Sequence, residues 1–318
     1  MDRNTIHEAA RRAGVSVASI SRALNNKPGI GPETRQRILD ICAELGYQPS
    51  AAARQLKEGR TATVGLSMGM RDWQINPYVS LVFEHLTTHL QTRGLTPRLY
   101  HHSDMEQMIA ETASAVLLGV EAEDSRVHAL QAARIPFVSI GQRLDGFWIC
   151  PDDFAGGVLA AEALLQAGCT RLAMIEIDSQ GKGTGLRAKG FHETVGNADQ
   201  TADICWVPDS DTPSLTAYRT LMREWQTTRP AYDGLFCETD EVALGVLKVL
   251  EDLNISVPDQ VRLVGYDDLP VFGQTLTTIR QDTNELVRGA VDLLIRAQQG
   301  SEPQAVIMPV QLVRRGTV

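Results

Sequence analysis

No apolar run in this 318-residue chain approaches the roughly 18 residues needed to cross a bilayer. Met1-Asp2-Arg3-Asn4 leads into a polar helix rather than an apolar signal core, so a cytoplasmic protein without membrane contact is expected. Cysteine is scarce. Cys42, Cys150, Cys169, Cys205 and Cys237 are odd in number and form no CxxC pair, which argues against a zinc knuckle or a disulfide framework and for small buried side chains. There is no G-x-S-x-G nucleophile elbow and no HExxH. Gly181-Lys182-Gly183-Thr184-Gly185 lacks the spacing of a phosphate loop. His101 and His102 are adjacent, so in a strand they would point to opposite faces, and no second pair is obvious. No catalytic residue, metal or cofactor is therefore expected. Solenoid repeats and low-complexity segments are also lacking.

What is present suits a globular protein: 43% hydrophobic and 22% charged residues, with length for two lobes and a small module. The net charge of −9 is unevenly spread: residues 1–60 hold 10 Lys and Arg against 6 Asp and Glu, and the remainder holds 20 against 33. A basic head on an acidic body implies a polyanionic partner for the head alone.

The first 46 residues read as three short helices. Thr5 and Glu8 form a capping box, Ile6, Ala9, Ala10 and Ala13 an apolar stripe, and Gly14 a stop. Ser16 caps a second helix to about Leu24, buried through Ile20 and Leu24, with Val17, Ala18, Ser21 and Arg22 facing outward. Pro32 opens a third, with Ile38, Ile41, Cys42 and Leu45 at helical spacing and Gly46 ending it. Two helices joined by a tight Gly14-Val15-Ser16 turn make the helix-turn-helix pattern; the plain alternative is a three-helix mini-bundle. Residues 51–58 suit a short alanine-rich helix, too short to be stable without a partner.

From Thr61 onward apolar strands (63–67, 115–118, 136–139, 171–177, 234–237, 262–265) alternate with amphipathic helices (79–92, 124–133, 153–167, 213–226, 240–252, 283–298). That order predicts an α/β core of parallel sheets with helices on both faces.

The run Val15-Ser-Val-Ala-Ser-Ile-Ser-Arg22-Ala-Leu-Asn25 resembles the recognition-helix signature of the LacI/GalR transcription regulators. Gly31-Pro-Glu-Thr-Arg35, Leu45-Gly-Tyr47, Ala53-Arg54-Gln-Leu56 and Gly59-Arg60-Thr61 continue the likeness. So do Asn76-Pro77-Tyr78, Asp152-Asp153-x-x-Gly156-Gly157, Thr239-Asp240-x-x-Ala243-x-Gly245, Val264-Gly-Tyr-Asp267-Asp268, Leu276-Thr-Thr-Ile279 and Arg314-Arg-Gly316-Thr. The short stretch after Leu99, and Thr239 where the family commonly has Asn, resemble the subgroup of galactoside-operon regulators that includes the evolved-β-galactosidase repressor.

The resemblance implies a helix-turn-helix DNA-binding domain at 1–46, a linker and hinge helix at 47–60, and a two-lobed periplasmic-binding-protein-like core at 61–318. Lobe one is expected at about 61–152 and 281–302, and lobe two at about 153–280 and 303–318. In the head, the resemblance makes Arg22 a reader of guanine, and the apolar pair Val17 and Ala18 suits thymine methyl groups. Ser16, Ser21 and Asn25 suit phosphates, and Tyr47 matches a position facing the DNA backbone. Leu56 matches a leucine that wedges into the minor groove, with Ala53 allowing two hinge helices to approach. In the core, Arg187 and Asp267 match cleft positions; Tyr78, Gln142, Asp152 and Thr239 are further effector-binding candidates. The expected partners are palindromic double-stranded operator DNA, a small effector of sugar type, and a second copy of the chain. No leucine-heptad tail of the kind that joins dimers into tetramers is evident. Two other readings stay open at this point: a sugar-binding transport protein and a sugar-processing enzyme whose remote residues converge in space.

Overall fold

The computed structural model describes residues 6–24, 28–45, 62–69, 76–121, 123–141, 144–178, 185–272 and 275–318. Asn25, Tyr47, Ala53, Leu56 and Gln142 lie outside the described residues, as do Thr5, Gly46 and the side chain of Ile6.

The head consists of α1 (Ile6–Ala13), α2 (Val17–Leu24) and α3 (Pro32–Glu44). Ala9, Ala10 and Ala13 meet Ile20, Ala23, Ile38, Cys42 and Leu45 in one small buried cluster. Gly14, at φ +62°, supplies the left-handed residue that stops α1. The Ser16 hydroxyl accepts the Ser19 N–H at 3.1 Å, the cap expected for α2. Two expectations need correction. Leu24 is only half-buried, and Ala23 joins Ile20 as the buried pair. Val17 does not face outward but packs half-buried against the head cluster, because residues 17, 20 and 24 share one helix face.

Two six-stranded sheets form the core. The first contains β1 (Ala62–Ser67), β2 (Leu95–Tyr100), β3 (Ser114–Leu118), β4 (Phe137–Ile140), β5 (Phe147–Pro151) and β11 (Ala305–Met308), in the order β11-β5-β4-β3-β1-β2 and parallel throughout. The second contains β6 (Leu172–Asp178), β7 (Ala202–Pro208), β8 (Gly234–Cys237), β9 (Arg262–Asp267), β10 (Thr277–Gln281) and β12 (Val310–Val313), in the order β12-β10-β9-β8-β6-β7, with only β12 antiparallel.

Strand alternation feeds both faces of each sheet. In the first, Val64, Leu66 and Val116 face α4 (Pro77–Gln91) and α11 (Thr283–Gln298), while Ala115 and Leu117 face α5 (Met105–Glu111) and α6 (Ser125–Ala132). In the second, Ala173 and Ile175 face α9 (Pro213–Trp225) and α10 (Asp240–Asp252), while Leu172 and Met174 face α7 (Asp153–Gln166) and α8 (Leu186–Asn197).

The chain passes between the sheets three times: after β5, after β10, and between β11 and β12. The last passage corrects the expected lobe boundary. Residues 305–308 pair with β5, from Ala305 opposite Trp148 to Met308 opposite Pro151, and so extend the first sheet instead of the second.

Candidate functional site

Two places gather the residues singled out by sequence. On the head, Ser16 is exposed at the cap of α2, Ala18 and Arg22 are exposed along one side of the helix, and Ser21 is half-buried there. Arg11 and Arg12, by contrast, turn back onto Glu8 of their own helix, at 2.6 and 3.3 Å. Arg22 therefore extends from the second helix as a cation free of such an intrahelical tie.

The second place lies at the carboxyl ends of the core strands, where parallel sheets open a crevice. Arg187, in the first turn of α8, donates from Nε to Asp153 Oδ1 at 2.8 Å and from Nη1 to the Glu238 carbonyl at 2.7 Å. Its guanidinium carbon lies 3.5 Å from the Tyr266 ring centroid, a cation–π contact, and the Tyr266 hydroxyl donates to the same Asp153 oxygen at 2.8 Å. Burial opposes charge on Arg187, but Asp153, Tyr266 and Asp267 outweigh it and hold the guanidinium firmly protonated.

Glycine sets this geometry. A Cβ on Gly157 would stand 2.0 Å from the Arg187 carbonyl oxygen, and one on Gly190 would stand 2.1 Å from that of Phe154. Helices α7 and α8 thus touch backbone to backbone, which brings Arg187 onto Asp153.

Asp267 ends β9 at φ +116° and accepts from Gln281 Nε2 at 2.6 Å; Gln281 Oε1 accepts the Tyr78 hydroxyl at 3.3 Å. Tyr78, on a helix of the first sheet, is thereby tied to β9 and β10 of the second. Burial is the largest influence on Asp267 and pushes its carboxyl up from 3.8 to about 8; Asp240 and Asp153 add to the rise, and Arg187 and Gln281 oppose it. Between those values the folded state holds a proton that the unfolded chain releases. Stability contributed by this group is full below about 4 and is lost as pH rises toward about 8. Asp267→Asn is expected to flatten that slope in thermal melts run across this range, and an unchanged pH dependence would contradict the assignment.

Arg187, Asp267 and Tyr78 are thus gathered into one electrostatic cluster. The partner of Arg187 is Asp153, however, and both sit on the second-sheet side, so this ion pair does not lock the lobes together. Asp152 and Thr239 stand apart from the cluster's hydrogen bonds as helix N-caps: Asp152 accepts from Ala155 N–H at 3.1 Å and Thr239 from Val242 N–H at 3.2 Å. Sequence reasoning missed Asp153, Tyr266, Gln281 and Glu176. Glu176 is an acid inside the apolar run of β6; it is buried, with one oxygen accepting from Gly185 N–H and the other without a partner among the described residues. Burial, reinforced by Glu238, pushes it up to about 7. That break in an apolar strand was the available signal.

Beside the cluster is a cavity of about 380 Å³. Met68, Gly69, Asn76, Val79, Leu118, Gly119 and Glu121 line it from the first sheet's side, and Ile177, Asp209, Ser210, Asp211 and Pro213 from the second's. Its size falls in the range of small-molecule sites. Among the described residues none of the effector-binding candidates lines it, although Tyr78 sits at the start of α4 between Asn76 and Val79, which do.

Comparison with known proteins bears on both places. Residues 5–50 match the family of bacterial regulatory proteins, lacI family, and residues 161–318 match the periplasmic binding protein-like domain. The sucrose operon repressor of Pediococcus pentosaceus is 26% identical, over 97% of this chain and 98% of its own length. The HTH-type transcriptional regulator GalS of Salmonella typhimurium is 27% identical, over 99% and 96%. Among solved structures, the transcriptional regulator CelR–cellobiose complex superposes with a TM-score of 0.72 at 23% identity, covering 99% of both chains. The lac repressor dimer bound to operator and the anti-inducer ONPF gives 0.71 at 20%, covering 98% of both. Among the described residues no helix is long and apolar enough to cross a membrane. The chain belongs to the lacI family of bacterial regulatory proteins: it is a DNA-binding transcription regulator built on a periplasmic-binding-protein-like core, and not an enzyme.

Proposed function

We propose that this regulator is a homodimeric repressor whose hold on a palindromic operator is set by a sugar bound between the core lobes. The observation that carries the reading is the cleft cluster: a charged guanidinium stacked on Tyr266 and flanked by Asp153, next to a cavity of about 380 Å³. Aromatic faces with fixed donors and acceptors suit hydroxyl-rich rings. The relatives named for sucrose and the cellobiose complex support the same class, and the sequence likeness to the galactoside-operon subgroup adds β-galactosides to the candidates.

In this reading Arg187, Asp267, Tyr78, Asp152, Thr239 and Gln142 serve the effector. Ser16, Ser21, Asn25 and Tyr47 engage phosphates, Arg22 and Ala18 meet base edges while Val17 packs under the helix, and Ala53 and Leu56 pair two hinge helices in the minor groove. A palindrome asks for two heads. Leu215 on α9 and Leu244 on α10 are both exposed, 42% each, and Val271 beyond β9 is 62% exposed, an apolar face fit for a second copy; sedimentation equilibrium reads the stoichiometry. An effector alters DNA affinity only by binding the two core states unequally. Closure around an inducer would part the hinge helices, and a short helix without its partner melts.

A thermal-shift screen with sucrose, cellobiose and lactose tests the sensor. A bound sugar at about 100 times its Kd adds about 2.7 kcal/mol of stability, a shift of several degrees. A flat response to all three, alongside a shift with a non-carbohydrate ligand, would overturn the sugar reading.

A further inference from the structure

The first-sheet wall of the cavity hangs on one buried guanidinium. Arg126, in the first turn of α6, is 1% exposed, and its carboxylate partner Asp124 is 3% exposed. Arg126 Nη2 and Nε meet the Asp124 oxygens at 2.7 and 3.1 Å. The remaining N–H groups reach backbone carbonyls at the ends of β1 and β3: Nη1 donates to Ser67 at 3.0 Å and Leu118 at 3.2 Å, and Nη2 to Gly119 at 3.0 Å. Asp124 also accepts the N–H groups of Arg126, at 2.9 Å, and Glu121, at 3.3 Å. Burial alone would raise the Asp124 carboxyl, but the Arg126 bonds and charge and these backbone N–H groups outweigh it and hold it below the ordinary range.

The acceptors of this fork adjoin the cavity directly. Ser67 precedes Met68 and Gly69, and Leu118 and Gly119 are themselves in the wall with Glu121. The two strand ends also touch, since a Cβ on Gly69 would lie 2.6 Å from the Gly119 oxygen. A guanidinium is the one side chain that offers five donors in a rigid plane, so it can satisfy a carboxylate and three carbonyls together. Carbonyls at the ends of parallel strands are commonly left to loops, water or ligand; here they are occupied.

Resting on the reading of the cavity as the effector site, we infer that Arg126, held by Asp124, is a positioning residue of that site: it fixes the first-sheet wall before ligand arrives. Binding then spends no free energy on ordering that wall. Arg126 contacts no ligand in this arrangement and acts only through Met68, Gly69, Leu118, Gly119 and Glu121.

Arg126→Lys in the full-length protein tests it. The lysine keeps a charge beside Asp124 but has three donors on a flexible stem. Whichever of sucrose, cellobiose and lactose raises the parent's melting temperature is titrated calorimetrically well below both proteins' transitions. The expected result is a Kd at least tenfold weaker, with sugar-free affinity for palindromic DNA within twofold of the parent. A purely structural role would lower the melting temperature and leave the sugar Kd unchanged, and that result overturns the inference. Hydrogen exchange at the Glu121 amide of the unliganded parent decides independently, whether or not the variant folds or any of the three sugars binds. Protection before sugar is added supports a preformed wall. Exchange at the rate of an unstructured peptide overturns it, even where the sugar reading itself holds.

Discussion

Gly157→Ala is expected to lower stability by about 3 kcal/mol or more and to abolish the response to sugar. The added methyl would lie 2.0 Å from the Arg187 carbonyl oxygen and 2.7 Å from the Phe191 nitrogen. Both are backbone atoms of α8, so no rotamer change relieves the contact and the two helices must part. Parting them also carries Arg187 away from Asp153 and from the Tyr266 ring, so the loss of function exceeds what destabilisation alone would give. Urea unfolding measures the first effect, and sugar titration at low temperature measures the second. Stability within about 0.5 kcal/mol of the parent would mean that α7 and α8 do not touch as described.

Arg22→Ala is expected to remove operator selectivity while sparing nonspecific affinity. A guanidinium that donates twice to guanine O6 and N7 is worth about 1–3 kcal/mol of discrimination, and a two-headed protein loses it at both half-sites. Attraction to random duplex comes from phosphate neutralisation spread over many residues, of which Arg22 is one. Anisotropy titrations of palindromic and scrambled duplex at one salt concentration separate the two. Equal losses on both would assign Arg22 to phosphate instead of base.

What could be read from sequence followed burial only in part, since β5 and β10, buried inside their sheets, were not among the expected strands. Strands β3, β6, β8 and β9 were legible because helices cover both of their faces, so they appear as unbroken apolar runs such as Leu172-Ala-Met-Ile. The edge strands β2, β7 and β11 were not. Each leaves alternate residues in solvent, including Arg98 on β2 and Trp206 on β7, so no continuous run marks them. Missing β11 displaced the lobe boundary near residue 303. Helix α8 was not among the expected helices: Gly190 and Gly196 interrupt its apolar pattern, and Gly190 is one of the two glycines through which α7 and α8 meet.

The site divided along similar lines. Arg187 and Asp267 were legible through family motifs and the head through its caps and turn. Asp153, Tyr266 and Gln281 were not, because their importance lies in contacts between residues 14 to 203 positions apart. Arg126 was not singled out from the sequence. A single basic residue in an amphipathic helix carries no mark that its fork closes on the ends of two strands, one of them 59 residues away.

The most direct test of the whole account is a titration of the purified protein against a palindrome from the DNA upstream of its own gene and a scrambled duplex of equal length. It is run at moderate fixed ionic strength, without sugar and with each sugar that raises the melting temperature. A preference for the palindrome of about a thousandfold or more is expected, reduced about tenfold or more by the sugar. Equal affinity for the two duplexes, whatever sugar is added, would contradict it.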